Sequence, residues 1–298
     1  MAGWDVHTHL IPPTVLAAAH SGEFGLSIDS GFLVVAGKER LPLGRLADPA
    51  ALLQWISDQE LDGAVVSVPP ALFRYDQGVE WTALVNRGLR ELATPQLRVL
   101  GHLPLLHASA PAIASALGEE GVFSGFALGT PGLTGLDAVW KVLDSLQAFT
   151  LIHPGHSPDP RLDAFYLSNL LGNPYETGLA AAELVFTDVP GRFPGIRFCL
   201  CHGGGVTAAL AGRWQRGIDT ARPGIEAPSL AVAEALQRFA ADDLVHDPAV
   251  LPLLESTFGE VLAGSDWPFP MGSDGIDPRR AVATEALTRP LGAEAALP

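Results

Sequence analysis

Two histidines, His7 and His9, stand one residue apart in the opening segment MAGWDVHTHL. On a β-strand, side chains at positions i and i+2 point to the same face roughly 7 Å apart, so both imidazoles can reach one ion. The pair therefore predicts a metal site. One such motif in a chain with 9 histidines is weak support by itself, and further ligands are needed.

Three further polar side chains lie at the ends of apolar segments that are typical of strands. His153 ends FTLIH, His202 follows IRFCLC, and Asp266 lies in VLAGSDWPFP. Taken singly, a histidine at a strand end is often a hydrogen-bonded core residue, and an aspartate in G-S-D often caps a turn. Imidazole and carboxylate groups are also the ligands that suit Zn²⁺ or a similar divalent ion. Because buried groups of this kind need partners, their shared placement with His7 and His9 favours one metal centre.

Apolar segments alternate with helical patterns along the chain, which is typical of repeated βα units around a parallel sheet. Eight strands are predicted, at Trp4–Leu10, Gly63–Pro69, Arg98–Leu105, Phe123–Thr130, Phe149–Gly155, Ile196–Gly203, Arg238–Asp242 and Val261–Trp267. Helices are predicted from Asp48-Pro49 to Gly63 and at Glu80–Ala93, Ala108–Leu117, Leu136–Gln147, Tyr175–Phe186, Val206–Asp219, Pro248–Thr257 and Pro278–Thr288. Eight strands of this kind predict an α/β fold, a single (β/α)8 TIM barrel.

Two connections are too long to be simple loops. Ile11–Leu46 follows the first strand and is expected to hold a hairpin with Gly37-Lys38 at its turn, and Ser157–Pro194 follows the fifth strand. In a barrel, insertions after strands lie on the C-terminal rim, where substrates bind. We expect residues 1–290 to form one domain and residues 291–298 to form a frayed tail.

The composition excludes several classes of function. With 48% hydrophobic and 17% charged residues the chain can bury a large core, and its formal net charge of -15 repels nucleic-acid phosphates and anionic lipid head groups. No apolar segment approaches the ~20 residues that a membrane span needs, and no leader sequence is recognisable, so a cytoplasmic location is expected. Cys199 and Cys201, two apart on a predicted strand, are expected to be reduced core residues.

Several motifs together resemble the amidohydrolase superfamily, and within it the branch of aminocarboxymuconate semialdehyde decarboxylase and γ-resorcylate decarboxylase. They are D-V-H-T-H at the first strand, I-H-P at the fifth, C-H-G-G-G with Gly212-Arg213 after the sixth, and G-S-D-W-P-F-P-M-G at the eighth. The resemblance extends from about Trp4 to Gly272, and the H-G-G-G and G-S-D-x-P-F-P blocks are its most specific parts.

The resemblance implies one divalent metal, Zn²⁺ first and Mn²⁺ as the alternative, held by His7, His9, His153 and Asp266. It also implies that His202 acts beside the metal as the acid/base, and that the protein is a homodimer. Members with two metals bridge them with a modified lysine on the fourth strand. The fourth strand here, FSGFALGT, has no lysine, histidine or acid, which favours a single metal.

Substrate contacts are predicted from charge and shape. The muconate semialdehyde enzymes carry an arginine after the D-P that opens the first barrel helix, but here Asp48-Pro49 is followed by Ala50. Arg213 matches the second arginine of that carboxylate clamp, and Arg74 is a replacement for the missing one, because a guanidinium binds a carboxylate through two hydrogen bonds. The aromatic Phe73 and Trp267, and His156, are further candidates for the pocket, whereas His102 is left undecided.

These residues favour a metal-dependent decarboxylase that acts on a small aromatic or unsaturated carboxylic acid without an oxidant. The metal would polarise the substrate, and His202 or Asp266 would transfer the proton. A hydrolase of a lactone or amide is the alternative, because the same open metal position suits an attacking water. A protein that binds a partner without catalysis is a third interpretation. We expect a small-molecule substrate and no nucleic-acid or membrane partner.

Overall fold

Eight strands form one sheet whose strand order is the order along the chain. The computed structural model describes residues 3–117, 121–130, 132–287 and 291. Within this sheet, each strand pair whose register is described is parallel. The strands are β1 (Trp4–His9), β5 (Gly63–Ser67), β6 (Leu97–Gly101), β7 (Phe123–Gly129), β8 (Phe149–His153), β9 (Arg197–Leu200), β10 (Phe239–Asp242) and β11 (Glu260–Leu262). The predicted (β/α)8 barrel is therefore confirmed, with a strand inside or overlapping every predicted range.

Helices separate the strands, and every predicted helix is present. They are α1 (Pro13–His20), α2 (Leu43–Leu46), α3 (Pro49–Asp58), α4 (Gly78–Leu92), α5 (Ala110–Leu117), α6 (Asp137–Ser145), α7 (Asn173–Phe186), α8 (Val189–Arg192), α9 (Thr207–Asp219), α10 (Val232–Leu236), α11 (Leu251–Thr257) and α12 (Pro278–Leu287). The start of α3 shows the local cause: the Asp48 carboxylate accepts the amide of Ala50 at 3.0 Å, and Pro49 occupies the first turn. In the described ranges, no helix is both long and apolar enough to cross a bilayer.

The segment after β1 contains the predicted hairpin. Strands β3 (Phe32–Val35) and β4 (Glu39–Pro42) pair antiparallel, and β2 (Leu26–Asp29) adds a third strand on the far side of β3. Gly37 adopts φ 69° in the turn, a conformation that glycine reaches without steric cost. The longer segment after β8 leads through one π-helical turn, Ser168–Gly172, into α7. The location of both insertions on the barrel rim stays a prediction.

The chain divides into two compact units. One contains the residues up to Ala127 together with those from Ala263 onward, and the other runs from Leu128 to Leu262. Each has buried apolar side chains from its own strands, such as Val65 and Val99 in the first and Leu151 in the second. Burial of one such side chain stabilises the fold by roughly 1.5–3 kcal/mol. The prediction of one domain over residues 1–290 stays a prediction, and the predicted tail lies outside the described residues except for position 291.

Candidate metal centre

A buried cluster of two imidazoles and one carboxylate lies at the end of β1. The Nε2 atoms of His7 and His9 lie 3.3 Å and 3.1 Å from Oδ1 of Asp266, and neither histidine is exposed to solvent. The ligand atoms of these three residues all lie within 4.8 Å of one another. The rings of His7 and His9 meet edge to face at 5.1 Å between centroids, so the i and i+2 spacing brings both to one point.

Backbone hydrogen bonds to β1 place Asp266 in this cluster. The amide of Asp266 donates to the carbonyl of His7 at 2.7 Å, and the amide of His9 donates to the carbonyl of Trp267 at 2.9 Å. Asp266 itself has φ 58°, which is uncommon for a non-glycine residue. The predicted strand Val261–Trp267 is consequently too long: regular pairing ends at Leu262, and the chain turns at Asp266 so that its carboxylate faces the histidines.

Asp5, which the sequence reasoning missed, forms hydrogen bonds both to His7 and to Ser265, the residue before Asp266. One carboxylate oxygen accepts the amides of His7 and Ser265, both at 3.0 Å, and the other accepts the Ser265 hydroxyl. Burial raises the pKa of Asp5 to about 7, against the lowering effect of these hydrogen bonds. Its position two residues before His7 is the only signal the sequence offers, because its partner lies 260 positions away.

β1 also contains an irregularity that no local pattern predicts. Asp5 pairs with Ala64 on β5, but Thr8 pairs with Val66, so β1 has one extra residue between the two pairs. An extra residue of this kind is a β-bulge, and bulges redirect side chains beside functional sites. Here the bulge lies around His7, the first residue of the cluster.

The hydrogen bonds of His9 determine what its second nitrogen can do. Nδ1 of His9 lies 3.1 Å from the carbonyl oxygen of Val68, and since a carbonyl only accepts, Nδ1 carries the proton. Burial lowers the pKa of His9, which favours the neutral ring, and Nε2 then presents a lone pair to Asp266. A lone pair and a carboxylate oxygen repel each other at 3.1 Å, whereas a divalent cation satisfies both. The donor set therefore fits a metal.

In the second unit, His153 ends β8 and is buried. Its Nδ1 donates to the carbonyl of Pro154 at 2.9 Å, so Nε2 is again the nitrogen with the lone pair. Thr130 holds this segment from β7: its amide donates to the carbonyl of His153 at 3.1 Å, and its hydroxyl accepts the amide of Gly155 at 3.0 Å. The same hydroxyl donates to the buried carboxylate of Glu176 at 3.5 Å.

His202 follows β9 and begins a run of left-handed residues. The φ angles of His202, Gly203, Gly204 and Gly205 are 55°, 61°, 72° and 60°. A non-glycine residue in this region costs roughly 1–2 kcal/mol, so the surrounding packing must hold His202 there. The rings of His202 and His153 meet edge to face at 5.4 Å between centroids.

Three of the predicted substrate contacts have other partners in the first unit. Arg74 donates to the carbonyl of Phe24 at 2.6 Å and lies over the ring of Trp81 at 5.3 Å, and burial lowers its pKa. Phe73 is buried and stacks on Tyr75 at 6.0 Å. Trp267 is also buried, and its carbonyl accepts the amide of His9. The role of each in substrate binding stays a prediction.

The remaining candidates fall into two groups. Arg213, on α9, and His156 are exposed. His102 is fully enclosed: its Nε2 donates to the carbonyl of Phe73 at 2.6 Å, and its Nδ1 lies 3.1 Å from the Thr82 hydroxyl. Burial lowers the pKa of His102 to about 4. These bonds give His102 a structural role in the core beside β6.

The chain is similar to known proteins over nearly its whole length. A 2-amino-3-carboxymuconate-6-semialdehyde decarboxylase from Dictyostelium discoideum is 27% identical over 298 residues, which span 90% of this chain and 82% of the relative. The solved structure of IDCase from Metarhizium anisopliae has a TM-score of 0.76 at 19% identity, covering 96% of this chain and 89% of that one. No family model matches the chain.

A third similar protein is the 5-carboxyvanillate decarboxylase of Novosphingobium aromaticivorans, solved with manganese and 4-hydroxy-3-methoxy-5-nitrobenzoic acid. It has a TM-score of 0.72 at 15% identity and covers 99% of this chain and 92% of that one. The barrel and its histidine–aspartate cluster define a metal-dependent enzyme. These similarities support the resemblance to the branch of aminocarboxymuconate semialdehyde decarboxylase and γ-resorcylate decarboxylase that the sequence motifs indicate, and the solved structures share the barrel fold.

Proposed function

We propose that the protein is a metal-dependent decarboxylase that removes CO₂ from a small aromatic or unsaturated carboxylic acid without an oxidant. The observation that carries the proposal is the buried donor set of His7, His9 and Asp266, with both Nε2 atoms within 3.3 Å of the carboxylate. The similarity to a carboxymuconate semialdehyde decarboxylase over 90% of the chain supports the type of reaction.

We assign four ligands to one divalent cation: His7, His9, His153 and Asp266. All four lie near or after the carboxyl ends of parallel strands, and the Nδ1 hydrogen bonds of His9 and His153 leave Nε2 as the nitrogen with a lone pair. Zn²⁺ and Mn²⁺ both accept this donor set, and one similar structure was solved with manganese. When bound, the cation supplies a Lewis acid that polarises the oxygens of the substrate.

The residues of the chain then orient the substrate and move protons. Loss of CO₂ from a carboxylate leaves an electron pair on carbon, and one proton must be delivered there. His202 is the proposed proton carrier, since its ring lies against that of His153 and an imidazole can both accept and donate a proton. Phe269 packs edge to face on His9 at 5.3 Å and supplies an apolar surface for a flat substrate. Arg213 is the proposed anchor for the substrate's anionic group.

We also propose that the protein is a homodimer in the cytoplasm. The segment after β8 exposes a group of large apolar side chains, which is the kind of surface that a partner covers: Phe165, Tyr166, Leu170, Leu171 and Tyr175. Cys199 and Cys201 are buried thiols, which suits a reducing compartment.

The experiment that tests the function is a substrate panel. Protein loaded with Zn²⁺ or Mn²⁺ is incubated with hydroxybenzoates, carboxyvanillates and carboxymuconate semialdehydes, and in parallel with lactones and amides. Release of CO₂ from an acid, with lactones and amides intact, is the expected result. Release of protons from a lactone or amide without CO₂ would instead make the protein a hydrolase. Failure to bind any divalent cation would contradict both activities and favour a binding protein.

A further inference from the structure

A buried carboxylate on β10 contacts the backbone beside His202. Asp242 is the last residue of β10 and is fully buried. Its Oδ1 accepts the amide of Gly203 at 2.7 Å and the amide of Leu244 at 3.3 Å. Hydrogen bonds from backbone amides to a carboxylate oxygen are among the strong ones in proteins. One oxygen thus joins the end of β10 to the residue that follows His202.

This contact bears directly on the conformation of His202. The amide of Gly203 belongs to the peptide unit that follows His202, so fixing that amide fixes the backbone ψ angle of the histidine. Gly203 is also tightly packed, because a Cβ at this position would lie 2.3 Å from a methyl group of Val245. The left-handed backbone of His202 at φ 55° is therefore held from β10 and the residues after it.

We propose that Asp242 is a positioning residue that holds the His202 imidazole in its working orientation through the Gly203 amide. The inference rests on the proposed role of His202 as the proton carrier. Asp242 is not one of the four proposed ligands, and its proposed effect on His202 passes through the backbone. Its contribution comes from its oxygen as an acceptor, and that feature separates two substitutions: Asp242→Asn keeps an oxygen in place, whereas Asp242→Ala removes it.

The test compares these two variants with a matched control. Asp247 also accepts a backbone amide through its carboxylate, that of Ala249 at 2.9 Å, but it is exposed and lies on the connection to α11. Asp247→Ala therefore removes the same kind of hydrogen bond away from His202. For each variant, kcat, KM, bound metal and the imidazole NMR resonances of zinc-loaded protein with labelled histidine are measured, with His202 assigned from His202→Gln.

We expect Asp242→Ala to shift the His202 resonance and to lower kcat at least tenfold, with KM within threefold and the metal retained. Asp242→Asn and Asp247→Ala should leave the resonance and kcat close to those of the unmodified chain. An unmoved His202 resonance in Asp242→Ala, or an equal effect of Asp242→Asn, would overturn the inference. If Asp242→Ala does not fold, Asp242→Ser replaces it, since its hydroxyl is one bond too short to reach the Gly203 amide.

The two proposals fail in different ways. If the His202 resonance shifts in Asp242→Ala and not in Asp242→Asn, yet no acid in the panel loses CO₂, the proposed reaction is wrong and the positioning role stands. If decarboxylation is observed but neither the resonance nor kcat responds to Asp242→Ala, the reaction stands and Asp242 is a structural residue only.

Discussion

Two histidines of the second unit, His153 and His202, lie in ring contact but are assigned different work. Nδ1 of His153 donates a hydrogen bond, so its Nε2 carries the lone pair, as in metal-ligating histidines. His202 instead lies beside it with a left-handed backbone. Removing His153 should release the metal, whereas removing His202 should leave it bound. Substitution therefore distinguishes the two roles.

His153→Ala should lose the metal. Three remaining ligands bind a divalent ion far more weakly than four, so we expect less than a tenth of an equivalent after gel filtration and no measurable turnover. Metal content is measured by elemental analysis, with His156→Ala as the matched control, because His156 is exposed and three positions away. Full occupancy in His153→Ala would show that the ligand set is wrong.

His202→Ala should show the opposite pattern. The metal stays at the level of the unmodified chain, because His202 is not one of its proposed ligands, and turnover falls by about 10²–10⁴-fold through loss of the proton carrier. Elemental analysis and the rate of CO₂ release measure the two quantities on one sample. Loss of metal in this variant would make His202 a ligand instead.

Some residues of the candidate site could be predicted from the sequence and others could not, and the difference has a physical reason. His7, His9 and Asp266 could be predicted because each lies near the carboxyl end of a predicted strand, and parallel strand ends share one edge of a sheet. Asp242 also ends a predicted strand, so the same rule would have found it. Asp5 could not be found in this way, since its importance comes from the amide and hydroxyl of Ser265, a partner far away in the chain.

At the scale of elements, two glycines on either side of α9 adopt positive φ angles in different surroundings, Gly205 before the helix and Gly224 after it. Gly205 adopts φ 60°, and a Cβ there would lie 2.1 Å from the carbonyl oxygen of Pro174. Gly224 adopts φ 80° but has no atom within 4 Å of the same added Cβ. The pair separates the cost of backbone conformation from the cost of close packing.

Gly205→Ala should therefore destabilise the protein more than Gly224→Ala. We expect a loss of about 1–2 kcal/mol of unfolding free energy for Gly224→Ala, from the φ angle alone. For Gly205→Ala we expect about 3 kcal/mol or more, because the backbone of α7 must also move. Urea unfolding of both variants measures the difference. Equal losses would mean that the contact with Pro174 is readily relieved.

His102, the residue after β6, makes the free energy of unfolding depend on pH. His102 has a pKa of about 4 in the fold and 6.5 in its ordinary state, because burial disfavours its charged form. Between these values the unfolded chain binds more protons than the folded chain, so stability falls as pH drops from about 6.5 toward 4. His102 accounts for about 2.5 kcal/mol of lost unfolding free energy between pH 7.5 and pH 4.5.

His102→Asn should remove this part of the pH dependence. Urea unfolding at pH 7.5 and pH 4.5 gives the change for the unmodified chain and for the variant, and the change should be smaller in the variant by about 2.5 kcal/mol. His20→Asn is the control, because His20 is exposed at the end of α1. An identical change in the His102 variant and the unmodified chain would contradict the assignment.

The elements were the part of the structure best predicted from sequence. Apolar runs and turn residues are local signals, so all eight strands and the hairpin after β1 could be placed. The errors lie where tertiary hydrogen bonds replace the ladder, as at Ser265, whose amide donates to Asp5 instead of continuing β11. The bulge in β1 has the same kind of origin, since it appears only when the register with β5 is known.

At the scale of the whole molecule, the net charge of -15 makes an anionic substrate approach against the field of the protein. A bound divalent cation and Arg213 are the proposed local sources of attraction that oppose this field. The rate of productive encounter should therefore depend on these groups and not on the surface as a whole. The same cation would have a second consequence, because its proposed ligands come from segments far apart in the chain and are brought together only by folding.

Metal binding should stabilise the entire fold by mass action. A cation that binds only the folded chain adds RT ln(1 + [M]/Kd), which is about 2.7 kcal/mol at a free concentration of 100 Kd. For a chain of 298 residues this corresponds to an increase in Tm of about 4 °C. Thermal unfolding with excess Zn²⁺ and after treatment with a chelator measures the difference.

The control for this prediction is His7→Ala, which removes a proposed ligand while leaving the rest of the cluster. Its Tm should be lower than that of the metal-loaded unmodified chain and should respond little to Zn²⁺ or to the chelator, since fewer ligands give weaker binding. An equal Zn²⁺-dependent rise in both proteins would locate the stabilising ion elsewhere. No rise in either protein would mean that the buried histidines and Asp266 are held by their hydrogen bonds alone, and the metal-dependent function would fail with it.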